Sequence, residues 1–322
     1  MFDLIAIGDS TYDIFIKPHE AEILRSSGKV SLRIPYEKLL CFAHGDKIEV
    51  ENVSYSLGGS ACNVASGIAR LGLRSGLCSF CGDDEVGEKI RKMIGEEKIE
   101  LVSFVTDKKI HSTYSFIIRH KGDRTILVYR DKFDYKKIKI KNIKKTKWIY
   151  LSSLGRGYEK DVIKLVAEKN ILMAINPGKN QLKKKSSDFL LLLKMAEIVF
   201  VNKQEAELFL GARFPLQINE IYRRIAEYGV KNFVITDGLK GSYVKVGKEI
   251  VHQVAYKSNI LEVTGAGDAF ASGFLGSYIR DFNLKKGLLW GAVNGSKVVE
   301  KIGAQNGILN IGDMKKACAK LD

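Results

Sequence analysis

Short apolar runs alternate with helical patterns along most of this chain. Leu4–Ile7 reads as a strand, Asn63–Leu71 as a helix with Val64, Ile68 and Leu71 on one face, and Gly76–Cys81 and Val86–Ile94 as the next strand and helix. Trp148–Leu151 and Leu172–Ile175 are short apolar runs with a helical stretch, Asp161–Lys169, between them. Ile198–Val201, Gln204–Leu210 and Phe233–Thr236 repeat the step, and Asp268–Ile279 and Leu284–Lys301 read as helices. This rhythm predicts an α/β fold: a mostly parallel central sheet with helices on both faces.

Two segments break the rhythm. Residues 113–119 and 124–130 are β-rich and flank a Lys121-Gly122-Asp123 turn, which predicts a hairpin. Residues 46–57 also read as strand. Neither fits a β-α-β unit, so a small antiparallel sheet is expected to project from the body as a lid, built from about 11–57 and 110–132 of a single domain spanning 1–322.

The 322 residues, 45% of them hydrophobic, suffice for a large core. No apolar run reaches the roughly 18 residues of a membrane span. Met1–Gly8 lacks a basic leader and meets an acid at once, so it reads as a buried strand rather than a signal peptide. Cys78-x-x-Cys81 is the only close cysteine pair, with no second pair or histidines to complete a zinc site, and both are read as interior thiols in a reducing cytoplasm. The net charge is +15, and Lys132–Lys147 alone holds eight lysines. They are barely interleaved with aromatics, which argues for a solvated face or a field steering anionic substrates rather than a nucleic-acid site.

The chemistry-bearing stretches are small-residue turns at strand ends. In Thr264-Gly265-Ala266-Gly267-Asp268, four residues of little bulk let the backbone approach a ligand, and the following helix aims its unpaired N–H groups there. Asp268 beside such a phosphate cradle suits a general base that activates a hydroxyl, although an ordinary helix entry with an acidic first turn has the same composition. Gly58-Gly59-Ser60-Ala61-Cys62-Asn63 also opens a helix, and Asn63 both donates and accepts, which suits a sugar hydroxyl or a plain cap. Asp13 is suited to gripping two vicinal hydroxyls or to sitting in a solvated loop. Asn202 and Glu205 share one side of a helix's first turn, as a hydrated Mg²⁺ or phosphate site requires and as a capping box also does. Thr236, Gly238 and Gly241 fit a loop around a nucleotide or a hairpin turn into Ser242–Val246. No P-loop, dinucleotide, nucleophile-elbow or zincin string is present.

Taken in order, Gly-Gly-Ser-x-x-Asn-Val-Ala at 58–65, Gly-Asp-Asp-x-x-Gly at 82–87, Gly-Asp-Arg-Thr-Ile-Leu at 122–127, Asn-x-x-Glu at 202–205, Thr-Asp-Gly-x-x-Gly at 236–241 and Thr-Gly-Ala-Gly-Asp-Ala-Phe at 264–270 resemble the ribokinase-like (PfkB) carbohydrate kinase family over nearly the whole chain. The resemblance implies a three-layer sandwich with a β lid, and transfer of the γ-phosphoryl group of ATP, with Mg²⁺, to a primary hydroxyl of a sugar or sugar derivative. A nucleoside kinase of the same family, using Tyr12, Phe15, Phe42 or Tyr114 as a base slot, is the alternative, and a silent binding relative is the non-enzyme one. It implies Asp268 as catalytic base, with Gly265, Ala266 and Gly267 as the anion hole. Asp13, Gly58, Gly59 and Asn63 become acceptor contacts. Asn202, Glu205, Thr236, Gly238, Gly241, Thr264 and Asn294 fall on the nucleotide side, with Glu205 acting on Mg²⁺ indirectly. Gly303-Ala304-Gln305 resembles the loop closing the nucleotide and monovalent-ion region. Glu262 stands where K⁺-using relatives carry Asp, one methylene longer, and is the candidate monovalent-cation ligand. A homodimer through the lid is expected, with no nucleic-acid or membrane partner.

Overall fold

The computed structural model describes residues 1–25, 38–140, 143, 145–153 and 158–320. Nine strands form the main sheet, in the spatial order β15 (Glu249–Gln253), β14 (Ser242–Val246), β13 (Phe233–Thr236), β12 (Ile198–Asn202), β11 (Leu172–Ile175), β10 (Thr146–Leu151), β1 (Phe2–Ile7), β6 (Ser75–Gly82) and β7 (Glu100–Asp107). All neighbours from β13 to β7 pair in parallel, while β14 and β15 close one edge antiparallel. The interior strands are apolar on both faces, as a doubly covered sheet requires. Ile5, Ile7, Ile149, Leu151, Val199 and Val201 point into one core. Leu4, Ala6, Trp148, Tyr150, Ile198 and Phe200 point into the other, where they meet the helices Ser60–Arg70 and Ala266–Asp281.

The lid is a separate four-stranded sheet in the order β5 (Val50–Gly58), β2 (Thr11–Pro18), β8 (Tyr114–His120) and β9 (Asp123–Tyr129), mixed rather than antiparallel as expected, because β2 and β8 both leave parallel strands of the main sheet and pair in parallel. The expected hairpin is β8–β9, and β5 carries most of the expected 46–57 strand. Residues 26–37 of the expected lid lie outside the described residues. A short hairpin of β3 (Glu22–Arg25) with β4 (Lys38–Cys41) was not legible in the sequence. Three of the four lid strands connect directly to the body: β2 follows β1, β8 follows β7, and β5 runs directly into the Ser60–Arg70 helix. The lid therefore stands over the carboxyl ends of the parallel strands, where open α/β sheets bind ligands.

Cys78 and Cys81 are buried free thiols. Burial pushes the Cys78 thiol up to about 12. No described helix is long and apolar enough to cross a membrane.

Candidate active site

The helix carrying Asp268 starts at Ala266, two residues before the periodicity indicates, so Asp268 sits in its first turn. Gly265 precedes it with φ +79, a left-handed conformation that costs other residues, and a Cβ there would lie 2.6 Å from that of Ala304. The helix Leu284–Val298 ends three residues short of the expected Lys301. The carbonyl of Val299 is drawn off instead to accept from the N–H groups of Leu261 and Glu262 at 2.8 and 3.2 Å, which anchors the approach to the Gly265 turn.

Asn63 Nδ2 donates to Asp268 Oδ2 at 2.8 Å, and Gln305 Nε2 donates to Asn63 Oδ1 at 2.9 Å. Ser60 also hydrogen-bonds the Asp268 side chain. Burial pushes the Asp268 carboxyl above its ordinary value, against these hydrogen bonds. Asn63 is itself buried, with one end of its amide on the Asp268 carboxylate and the other on Gln305. Gln305, from the Gly303-Ala304-Gln305 loop, sets which way the Asn63 amide faces. Ala266 N–H reaches the Val263 carbonyl at 3.3 Å, a long bond, while Gly267 N–H, in the first turn, has no intrahelical acceptor.

Asp13 is buried on the lid's inner face, accepting from Thr11 Oγ1 at 3.0 Å. Burial raises its carboxyl to about 6, the hydrogen bonds of Thr11 and Ser115 opposing this and the charges of Asp268 and Glu262 adding to it. Gly58 lies against the Asp13 carboxylate, and Gly59, at φ +92, leaves a Cβ only 2.3 Å from the Asp9 carbonyl. Asp9, buried at the end of β1, was missed in the sequence. It accepts from Tyr135 Oη and pairs with Arg130 at 3.0 Å, so the lid's outer strand is tied to the body at this end.

Glu262 is buried, and its Oε1 accepts from Thr264 N–H and Oγ1 at 2.8 and 2.6 Å. Arg124, from the other end of β9, brings Nε to 3.7 Å of the same oxygen. Glu262 Oε2 and Arg124 Nε are buried without hydrogen bonds. Both the Thr264 N–H and its hydroxyl thus donate to Glu262.

Thr236, Gly238 and Gly241 line a cavity of about 240 Å³ beside Ala266 and Gly267. Its wall is mostly apolar, including Leu239, Ile260 and Val299. The Thr236–Gly241 stretch is both things its residues allowed, a cavity wall and a tight turn into antiparallel β14. Asn202 and Glu205 form a reciprocal capping box, Asn202 Oδ1 accepting from Glu205 N–H at 2.8 Å and Glu205 Oε2 from Asn202 N–H at 2.9 Å. Asn294 departs from its expected nucleotide role. It is fully buried, donating to the Ala269 carbonyl at 2.8 Å and accepting from Leu309 N–H at 3.0 Å, while its neighbours Gly295 and Ser296 line the cavity.

A family model described as pfkB family carbohydrate kinase matches residues 29–311. The chain belongs to the PfkB family of carbohydrate kinases. A 5-dehydro-2-deoxygluconokinase of Listeria innocua is 26% identical across 100% of this chain and 97% of its own. An ATP-dependent 6-phosphofructokinase of Thermoanaerobacterium thermosaccharolyticum is 24% identical across 81% of this chain and 84% of its own. The solved nucleoside kinase of Methanocaldococcus jannaschii, an archaeal member of the ribokinase family, superposes with a TM-score of 0.74 at 20% identity, covering 99% of this chain and 98% of that one. This PfkB kinase therefore has the ribokinase-like fold, is a phosphotransferase acting on an alcohol group, and uses ATP.

Proposed function

We propose that this PfkB kinase transfers the γ-phosphoryl group of ATP to a primary hydroxyl of a sugar or sugar derivative, with Asp268 as the general base. The observation that carries the reading is the placement of the Asp268 carboxylate. It stands in the first turn next to Ala266 and Gly267, which line the cavity of about 240 Å³, and its charge acts on Asp13 of the lid. A raised carboxyl suits a base working near neutral pH. Asp13 grips acceptor hydroxyls, Asp268 takes the proton of the attacking one, and the Gly267 amide with the helix dipole bears the charge on the transferred group. Lid closure excludes water.

The residues fit Mg²⁺ held chiefly by the nucleotide phosphates. Among the described residues no cluster of three metal-binding side chains exists. Glu205 is raised by burial, faces Asp268 and has only one oxygen in its capping box, so it fits a role through water. A Mg²⁺ ion held there would supply positive charge that offsets the phosphates. Glu262 fits K⁺ poorly, because the Arg124 guanidinium already stands beside it.

A sugar is favoured over a nucleoside by the aromatic residues. Phe15 is fully buried in the lid, Tyr12 stacks on Tyr55 with ring centroids 5.6 Å apart, and Tyr114 stacks on Tyr129 at 5.1 Å. These three are engaged within the lid, while Phe42, the fourth candidate, is exposed. Of the similar proteins named above, the two sequence relatives carry names that point to a deoxygluconate and a phosphofructose as acceptors, and the solved structure carries the name of a nucleoside kinase. A second copy of the chain covering the lid belongs to the same reading, since edge strand β9 exposes Ile126, Leu127 and Val128. A coupled ADP-release screen over ribose, fructose, ketodeoxygluconate, fructose phosphates and nucleosides tests the reading. It predicts release that requires a sugar or sugar derivative; release only with nucleosides, or none with any acceptor, contradicts it.

A further inference from the structure

Gln305 is held at both ends by one face of one helix. Asn63, Ser66 and Arg70 lie at i, i+3 and i+7 on the helix Ser60–Arg70, so they share a face, with Arg70 about 10 Å along the axis from Asn63. Asn63 accepts from the Gln305 side chain, and Arg70 Nη1 donates to the Gln305 backbone carbonyl at 2.6 Å and to that of Ile308 at 3.3 Å. Gln305 lies in a segment, residues 301–310, with neither helix nor strand. Its place is therefore set by contacts from outside the segment.

Arg70 is itself fixed. Its Nε and Nη2 donate to the two carboxylate oxygens of Glu97 at 2.9 and 2.6 Å, and the Ser66 hydroxyl donates to the same carboxylate. Glu97 stands just past the helix Glu85–Glu96, and both charged side chains are partly buried. A two-point guanidinium–carboxylate contact fixes direction as well as distance, which leaves Nη1 aimed at the loop carbonyls. We infer that Arg70 is a positioning residue for the proposed base: it seats the Gln305 backbone so that the Gln305 amide keeps Asn63 Nδ2 on Asp268, and Glu97 in turn seats Arg70. Arg70 acts through Gln305 and Asn63 rather than on a substrate. A donor on a carboxylate favours its ionised form, so an Asn63 amide left free to turn lets the Asp268 carboxyl rise further. The inference rests on the reading of Asp268 as the base. Its test reads the carboxyl itself rather than turnover, so the two fail separately.

The test is a pH titration, followed by NMR, of the full chain carrying ¹³C-labelled aspartate carboxyls, with the Asp268 signal identified by its absence from Asp268→Asn. Asp13 and Glu205, which interact with the Asp268 charge, are unaltered in every variant. Gln305→Ala is expected to raise the Asp268 midpoint by about half a pH unit or more, the worth of one hydrogen bond. Arg70→Met should raise it comparably, and the double variant no further than the larger single shift, because both changes act through Asn63. Arg70→Lys keeps the charge but cannot hold Glu97 at two points and reach the loop as well, so it should fall between. Should Arg70→Met not fold, Arg70→Lys and Glu97→Gln carry the same comparison. A wild-type midpoint in Gln305→Ala, in Arg70→Met, or in both substitutes for the latter overturns the inference. Shifts that add in the double variant overturn it too, by giving Arg70 a route to the site that bypasses Gln305. Asp268→Asn with wild-type turnover would instead refute the base and leave the seating of Gln305 intact.

Discussion

Asn63 and Asp268, 205 residues apart in the chain, meet through one hydrogen bond of 2.8 Å, and Gln305 holds the other end of the Asn63 amide at 2.9 Å. The three side chains form a relay that ends on the proposed base. Removing Gln305 frees the amide to rotate and present its oxygen to the carboxylate. Gln305→Ala is therefore expected to lower kcat by roughly tenfold, the worth of about one hydrogen bond, with little change in KM for ATP. Steady-state kinetics checks this, and an unchanged kcat contradicts the relay.

The Gly265 turn leaves no room for a side chain. With φ +79 and a Cβ position 2.6 to 2.8 Å from atoms of Ala304, any substitution must move the turn that aims the cradle amides. Gly265→Ala is expected to cost about 10² or more in kcat, the scale of losing one anion-hole donor. A variant that folds with the wild-type melting temperature and keeps its kcat would show that the turn does not bear on the transferred group.

Asp13 links acceptor binding to pH. Its folded-state value of about 6 lies above the ordinary 3.8, so the folded chain holds a proton that the unfolded chain has lost between those values. The stability from this group is full below about pH 4 and is lost as pH rises through about 6. Function runs the other way, since only the ionised form accepts two hydroxyl hydrogen bonds. The KM for the acceptor is expected to rise as pH falls below about 6, with KM for ATP unmoved. Asp13→Asn should melt no lower than wild type at neutral pH while raising acceptor KM roughly tenfold or more. Melting curves and kinetics across pH 4.5 to 8 check both, and a flat acceptor KM contradicts the assignment.

Arg124 already supplies a positive charge 3.7 Å from Glu262. A monovalent cation at that carboxylate would face repulsion from it, so exchanging Na⁺ for K⁺ at constant ionic strength is expected to change kcat less than about twofold. A rise of tenfold or more with K⁺ contradicts this.

The parallel sheet was legible because its strands are apolar on both faces, as Ile149 and Trp148 on β10 illustrate, and the lid because β8 and β9 flank a Lys-Gly-Asp turn. Element ends were less so. Val299 leaves its helix to serve Leu261 and Glu262, a long-range demand with no local signature. The pairings that build the site, Gln305 with Asn63, Arg130 with Asp9 and Arg124 with Glu262, join distant segments and are set by packing of lid on body rather than by spacing. Asn294 illustrates the converse: a polar residue among nucleotide-side neighbours, it is recruited to tie Ala269 to Leu309 inside the fold.

The most direct measurement is turnover of Asp268→Asn against its affinity for nucleotide. Asparagine keeps the shape and can still meet Asn63 and Ser60, but it cannot take a proton. A kcat lower by about 10² to 10⁴, with ATP-analogue affinity within a few-fold of wild type, is the predicted result. Wild-type turnover in this variant would contradict the account of phosphoryl transfer given for this kinase.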